Sequence, residues 1–216
     1  MWANPKKIHI CGMRRSGSTL LYNIVHGLRR YHTKGWRIRK MHQTWMNRFR
    51  RRPKINDKSI YSYRDVRDVA ASYCYKYNMN FDNFQVEGKC IMEFLEWIIE
   101  YDKFIKCRNW KNILYLKYED SIIGDIVSTY NKISDFLGVS NDYNTELRNE
   151  LCIDKQKAFT DNLTSLDKKT NFWPNHIKDG KQNKYRDVFT DEQIELINNN
   201  KSVSVYLRAN GYESGE

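Results

Sequence analysis

The chain has 216 residues, which is long enough to bury a substantial core and predicts a single domain over residues 1–216. Hydrophobic residues make up 40% and aromatic residues 14%, which excludes a disordered chain, and no apolar run reaches the roughly 20 residues of a membrane span. The five scattered cysteines exclude a disulfide framework and a zinc ribbon, and they predict free thiols in the reducing cytoplasm.

The net charge of +11 is concentrated near the amino terminus. Residues 1–56 contain fifteen Lys or Arg and no Asp or Glu, whereas the remainder holds 22 basic and 26 acidic side chains. A positive potential confined to one part of a protein steers anionic ligands towards it. We therefore expect a polyanionic ligand, and a basic nucleic-acid-binding module is the alternative that also fits this asymmetry.

The first predicted strand, 7–13, is joined to a predicted helix, 19–31, by a glycine-containing turn over residues 12–19. Backbone N–H groups at such a helix start are unpaired, and the positive end of the helix dipole adds to them. Arg14 and Arg15 supply fixed positive charge, and Ser18 and Thr19 supply hydroxyl donors. The turn is therefore predicted to hold a phosphate or sulfate group.

The spacing of Gly12 and Gly17 matches the nucleotide-triphosphate loop G-x-x-x-x-G-K-[ST], but Ser18 stands where that loop requires lysine. That lysine reaches the terminal phosphates of a bound nucleotide, so its loss argues against ATP bound with Mg²⁺. A nucleotide or small-molecule kinase remains as an alternative, and the position of Arg15 favours a related loop with another ligand.

The second predicted strand, 36–42, ends in Lys40-Met41-His42. Residues two apart on a strand project from the same face, so Lys40 and His42 are predicted to lie side by side. A nearby cation disfavours the imidazolium and lowers the pKa of a histidine, which suits His42 to act as a base.

The third predicted strand, 59–64, leads into a helix over 66–77. Asp65 is predicted to cap that helix, with Asp68 three residues further on. Arg64 at the end of the strand and Ser72 on the second turn of the helix are placed to meet one bound anion.

Further along the chain, helices are predicted over 87–107 and 125–137, a strand over 113–118 and a C-cap at Gly138. No periodicity is visible from 159 to 189, and a loop of that length is typical of a lid or a binding segment. Alternating strands and helices predict an α/β fold with a mainly parallel central sheet, in which ligands bind beyond the carboxyl ends of the strands.

These motifs together resemble the sulfotransferases that use 3′-phosphoadenosine-5′-phosphosulfate (PAPS). The run Arg15-Ser16-Gly17-Ser18-Thr19 is similar to their 5′-phosphosulfate loop, and Lys40-Met41-His42 is similar to their Lys-Thr-His. Arg64, Asp68 and Ser72 match the spacing of their 3′-phosphate segment, here residues 64–72, although Asp65-Val66 replaces Asn-Pro. Tyr118-Glu119-Asp120 resembles their Tyr-Glu-Asp, and His176-Ile177-Lys178-Asp179-Gly180-Lys181 resembles part of their closing loop, here about 159–190.

The resemblance implies a single domain of the P-loop-like sulfotransferase fold, with PAPS as donor, its bisphosphate PAP as product and no metal. It implies that His42 is the general base and that Lys40 and Arg15 stabilise the charge that develops during transfer. The donor-binding residues that it implies are Arg14, Arg15, Ser16, Gly17, Ser18, Thr19, Arg64, Ser72, Tyr118, Lys178, Gly180 and Lys181.

The acceptor implied is a hydroxyl of a small molecule or glycan, with an amine as the alternative. Two departures from the family pattern bear on these expectations. Leu20 replaces the tryptophan that stacks on adenine in many cytosolic members, and their Lys-x-x-x-Thr-Val-x-x-x-Glu dimer segment is absent, so their dimer is not predicted.

Overall fold

The computed structural model describes residues 7–32, 35–41, 57–107, 112–175, 177 and 181–212. His42, Lys178 and Gly180, three of the predicted site residues, lie outside them. The described residues form a four-stranded sheet and a series of helices. In chain order the elements are β1 Lys7–Gly12, α1 Ser18–His32, β2 Arg37–Lys40, β3 Asp57–Tyr63, α2 Val66–Tyr77, α3 Ile91–Lys106, β4 Ile113–Lys117, a π-helix Glu119–Gly124, α4 Ile126–Leu137, α5 Asn144–Glu150, α6 Ile153–Asp161, α7 Tyr185–Val188, α8 Asp191–Asn199 and α9 Lys201–Ala209.

The sheet has the strand order β2-β1-β3-β4. β1 pairs in parallel with β2, where Lys7 lies opposite Arg37, and in parallel with β3, where Gly12 lies opposite Ser62. β1 therefore ends in the middle of the sheet, beside the carboxyl end of β3. The predicted α/β fold class with a mainly parallel sheet is confirmed.

The chain divides into two compact units. The sheet unit consists of Met1–Gly12, Ser16–Ser62 and Lys111–Gly180, and the helical unit consists of Met13–Arg15, Tyr63–Trp110 and Lys181–Glu216. The turn after β1 is thus shared, because residues 13–15 belong to the helical unit and residues 16–19 belong to the sheet unit.

Each unit has its own hydrophobic core. In the sheet unit Ile8 and Ile10 of β1 pack with one face of α1, on which Leu21, Ile24 and Leu28 are fully buried. Their spacing of three and four residues is that of an amphipathic helix. In the helical unit the core lies around α2, α3 and α9, with central members Val69, Phe94, Ile98 and Tyr206.

The predicted elements agree with the observed ones in type, and α2 agrees at both ends. α3 begins four residues later than expected, because Glu87 and Gly88 have positive φ and form a turn. The predicted structureless loop from 159 is interrupted by the end of α6 and by α7. Among the side chains of α6 that the structure describes, the buried ones are the polar Gln156 and Thr160, so they give no hydrophobic signal.

Candidate functional site

The turn between β1 and α1 contains two residues in the left-handed region, Arg15 at φ 64° and Gly17 at φ 79°. A left-handed conformation costs a residue with a side chain about 1–2 kcal/mol, so the turn at Arg15 has to be held by its surroundings. Left-handed residues within a turn direct successive backbone N–H groups to one side, which creates a concavity for anions. The backbone therefore has the form that the sequence predicts for an anion loop.

Ser16 fastens this turn to β3. Its hydroxyl lies 3.1 Å from the carbonyl oxygen of Ser62 and 2.8 Å from the Ser62 hydroxyl, and both residues are fully buried. A Cβ added to Gly12 would lie 2.9 Å from Ser16 Oγ and from Ser62 O, so only glycine fits at that position. The hydroxyl of Ser16, a residue that the resemblance implies in donor binding, is thus engaged with β3.

Gly17 lies against the ring of Tyr118. A Cβ at Gly17 would come within 3.1 Å of the ring atoms Cδ2 and Cε2 of Tyr118 and of Ile122 Cγ1. Tyr118 immediately follows β4 and precedes the π-helix, a rare form that occurs often at functional sites. The structure therefore brings the predicted adenine contact, Tyr118, next to the predicted anion loop.

Lys40 and Thr19 also meet in the sheet unit. Lys40 Nζ, at the end of β2, donates a hydrogen bond to Thr19 Oγ1 in the first turn of α1. Ser18 and Thr19 are each only 6% exposed at the helix start. We call Ser16, Gly17, Thr19, Lys40 and Ser62 the loop cluster.

A second group of predicted residues meets in the helical unit. Arg15 Nε donates to Ser72 Oγ at 2.8 Å, and Arg64 Nη1 donates to the carbonyl oxygen of Arg15 at 3.2 Å. Arg64 follows β3 and is 5% exposed, and Ser72 lies on α2. We call Arg15, Arg64, Asp68 and Ser72 the arginine cluster. Their convergence gives the predicted 3′-phosphate segment two guanidinium groups and one hydroxyl.

Asp68 anchors the chain that follows the predicted closing residues. Its carboxylate lies 3.2 Å from Arg64 Nη2 and accepts hydrogen bonds from the backbone N–H groups of Asn183 at 3.1 Å and Tyr185 at 3.2 Å. Arg64 Nη2 also donates to the carbonyl oxygen of Lys181 at 3.3 Å. Burial raises the pKa of Asp68, and the attraction of Arg64 opposes that rise. Asp68 thus ties the exposed Lys181 and its neighbours to Arg64.

Asp65 caps α2 as predicted, by accepting from the backbone N–H of Arg67 at 2.9 Å. Its carboxylate also pairs with the Arg67 guanidinium, at 2.6 Å from Nη2, and both side chains are almost fully buried. The sequence assigned no role to Arg67, which packs over the ring of Tyr185 at 4.3 Å. The start of α2 is therefore fixed by buried charge as well as by its cap.

Arg14, expected to face the anion, has other partners. Its Nη2 lies 2.6 Å from Glu87 Oε1, its Nη1 lies 3.4 Å from Tyr73 OH, and its guanidinium carbon stands 5.5 Å above the Trp97 ring. Sequence reasoning missed Glu87 and Trp97, because nothing in their spacing relates them to the loop.

Within the described parts of the chain, no group of three or more His, Cys, Asp or Glu side chains could hold a metal ion. In the same residues, no helix combines the length and the apolar character that crossing a bilayer requires. The cysteines there are unpaired thiols, and burial raises the pKa of Cys74 to about 11.

The family model described as the sulfotransferase domain matches residues 27–200. The fold is similar to a crystal structure of retinol dehydratase in complex with retinol and PAP, with a TM-score of 0.66, 19% identity, and coverage of 95% of this chain and 82% of that one. A second structure of retinol dehydratase, with androsterone and the inactive cofactor PAP, gives a TM-score of 0.63 and 18% identity over 99% of this chain and 82% of that one.

No curated protein matches the sequence significantly. The family match spans most of the chain and includes the motifs from Lys40 to Lys181. The chain therefore belongs to the sulfotransferase domain family.

Proposed function

We propose that this sulfotransferase moves the sulfuryl group of PAPS to a hydroxyl of a small molecule, with His42 as the general base. Glycan hydroxyls and amines are the other acceptors that the test below includes. The two similar structures, described as complexes with retinol and with androsterone, support a small-molecule acceptor. We assign the enzyme to the cytoplasm on its cysteine content.

One observation carries the assignment of the donor site, namely the hydrogen bond from Arg15 Nε to Ser72 Oγ at 2.8 Å. It joins a residue of the predicted 5′-phosphosulfate loop to a residue of the predicted 3′-phosphate segment. A donor with phosphate groups at both ends of an adenosine requires residues of both segments, whereas ATP carries its phosphates at one end. The family match from 27 to 200 includes segments of both units, which supports one functional domain over 1–216.

Different residues would bind different parts of PAPS. The loop backbone around Gly17, with the hydroxyls of Ser18 and Thr19, would orient the 5′-phosphosulfate at the start of α1. Arg64 and Ser72 would hold the 3′-phosphate, and Lys178, Gly180 and Lys181 would close on it. Tyr118, which lies against Gly17, would contact the adenine.

The residues at the reacting end would act on charge and on one proton. His42 would take the proton of the acceptor hydroxyl while the acceptor oxygen bonds to sulfur and the bond from sulfur to the bridging oxygen breaks. Lys40 and Arg15 would stabilise the negative charge that collects on that oxygen as PAP leaves. Lys40 is already fixed by its hydrogen bond to Thr19, so little reorganisation is needed.

The test combines ligand binding with transfer. Calorimetry should show that PAP binds and that ATP with Mg²⁺ does not, and radiolabelled PAPS should transfer sulfate to members of an acceptor library of alcohols, phenols, sugars and amines. His42→Ala should lower turnover by roughly 10²–10⁴-fold and keep the affinity for PAP. His32→Ala, which changes another histidine, is the control and should keep both. A PAP affinity that falls as far as turnover would contradict the role given to His42.

A further inference from the structure

The turn at Glu87 and Gly88 is an unfavourable place for a glutamate. Val86 and Lys89 exchange two backbone hydrogen bonds of 3.1 Å, and the two residues between them have φ values of 55° and 70°. Two-residue turns with both central residues left-handed prefer Asn, Asp or Gly at the first position. A glutamate there costs about 1 kcal/mol, so a contact of its side chain has to offset this.

That contact is the ion pair with Arg14. Glu87 Oε1 lies 2.6 Å from Arg14 Nη2, and the Arg14 side chain is 18% exposed. The guanidinium also stands over the ring of Trp97 and reaches the hydroxyl of Tyr73. A charge-assisted hydrogen bond on a partly desolvated, aromatic-stacked guanidinium is stronger than a surface ion pair.

The contacts of Arg14 run parallel to those of Arg15. Arg14 reaches Tyr73 of α2, while the next residue, Arg15, reaches Ser72, the residue before Tyr73. Tyr73 is itself immobilised, because its ring packs against Phe84 and Phe94 at centroid distances of 6.4 and 5.1 Å. Two consecutive arginines are thus attached to two consecutive residues of one helix, and the left-handed backbone of Arg15 lies at this attachment.

We propose that Arg14 is a positioning residue, which Glu87 holds so that the left-handed turn keeps Arg15 on Ser72. Arg14 and Glu87 then set the affinity for the donor without touching it. This inference rests on the proposed function and replaces the expectation that Arg14 binds the anion directly.

The two roles for Arg14 predict opposite results for Glu87→Gln. If Arg14 positions the loop, the loss of the ion pair loosens the turn and weakens PAP binding by roughly tenfold. If Arg14 is an anion ligand that Glu87 competes for, the same change releases Arg14 and strengthens PAP binding. Glu100→Gln on α3 is the matched control, because it removes the same charge at an exposed position and should leave the PAP affinity within about twofold of the wild type.

A second substitution separates the ion pair from the turn. Glu87→Asn also removes the ion pair but suits a left-handed turn better than glutamine, so it should cost less stability than Glu87→Gln while PAP binding falls as far. Arg14→Gln combined with Glu87→Gln should weaken binding no more than Arg14→Gln alone, because the loss of Arg14 already removes the ion pair. Additive losses in the double variant would overturn the proposal.

Hydrogen exchange of the ligand-free protein tests the inference without the donor. The amides of residues 13–19 should exchange faster in Glu87→Gln than in Glu100→Gln, and equal rates would overturn the positioning role. A wild-type protein that fails to bind PAP would refute the proposed function, whereas the exchange result would still decide whether Glu87 and Arg14 order the loop.

Discussion

The loop cluster and the arginine cluster share one turn but are built in opposite ways. The loop cluster uses close backbone approach and hydroxyl groups, as at Gly17, where a Cβ would lie 3.1 Å from the ring of Tyr118. The arginine cluster uses buried ion pairs, as at Arg64 and Asp68, whose side chains are 6% and 1% exposed. The loop cluster therefore requires a glycine where the backbone approaches its neighbours closely, and the arginine cluster requires that each buried charge keeps its partner.

This difference matches the separate roles proposed for the two clusters. Backbone N–H groups hold an anion without carrying a net charge, which fits the orienting role proposed for the loop around Gly17. Guanidinium groups hold a phosphate with full charge and fixed geometry, which fits the role proposed for Arg64. Substitutions in the two clusters should accordingly lower stability and activity for different reasons and by different amounts.

The largest expected loss comes from Asp68→Asn in the arginine cluster. The amide keeps the shape of the carboxylate but removes the charge that balances Arg64, and its NH₂ group cannot accept from Asn183. Breaking one partner of a buried pair costs about 3–5 kcal/mol, so urea unfolding should show a loss of that order. PAP affinity should also fall, because Arg64 loses its orientation.

The control for this change is Asp187→Asn on α7, where the aspartate is exposed. It should alter the free energy of unfolding by less than about 0.5 kcal/mol. A loss below 1 kcal/mol in Asp68→Asn would mean that the buried carboxylate is not the element that holds the arginine cluster together.

A smaller loss is expected from Gly17→Ala in the loop cluster. The alanine must adopt φ 79° and place its Cβ 3.1 Å from the Tyr118 ring and from Ile122. Backbone strain of this kind costs about 1–3 kcal/mol. Turnover should fall further than stability, because a displaced loop no longer orients the transferred group, and a steady-state assay with PAPS measures this.

Gly138→Ala isolates the steric part of that effect. Gly138 caps α4 at φ 73°, but no atom lies within 4 Å of an added Cβ. The Gly138→Ala variant should therefore have the backbone strain without a steric clash, and its turnover should be unchanged. Equal losses of stability in the two variants would show that contact with Tyr118 does not restrict Gly17.

A loss of about 1 kcal/mol is expected from Asn23→Ala, because neutral hydrogen bonds contribute less than ion pairs. Asn23 is buried on α1 and donates from Nδ2 to Thr19 O at 2.9 Å and to Thr170 O at 3.0 Å. Asn162→Ala, which removes a single bond to Ala158 O from an exposed asparagine, should cost less. Thermal unfolding of both variants measures the difference, and a smaller loss for Asn23→Ala would contradict it.

The parts of this site that the sequence predicts are those carried by local pattern. Asp65 was expected as a helix cap because capping is decided within three residues, and Gly138 was expected as a C-cap for the same reason. The convergence of Arg15 and Ser72 was predictable only through the resemblance, because 57 positions separate them. Their role as donor ligands stays a prediction.

The contacts that escaped prediction join residues that are distant in sequence and have no shared motif. The pair of Arg14 and Glu87 spans 73 positions, and Asp68 binds backbone groups of Asn183 and Tyr185 more than 100 residues away. A backbone N–H donor does not depend on the type of side chain, so a sequence pattern cannot indicate which one Asp68 binds. α9 is different, because Val203, Tyr206 and Leu207 have helical spacing and give the signal that would have identified it.

The smallest expected effect distinguishes the two units by their response to pH. Burial lowers the pKa of His9 on β1, and Asp57 opposes that shift. The folded sheet unit then binds fewer protons than the unfolded chain, so stability is lost as pH falls through the ordinary histidine value near 6.5. We therefore expect this sensitivity to acid in the sheet unit.

Acidification from pH 7.5 to 5.5 should therefore lower Tm, and His9→Gln should reduce that fall by roughly 1–3 °C. Asn162→Gln, which changes an exposed amide and no titratable group, should keep the wild-type dependence. If Tm falls by the same amount in His9→Gln as in the wild type, the acid sensitivity does not come from β1.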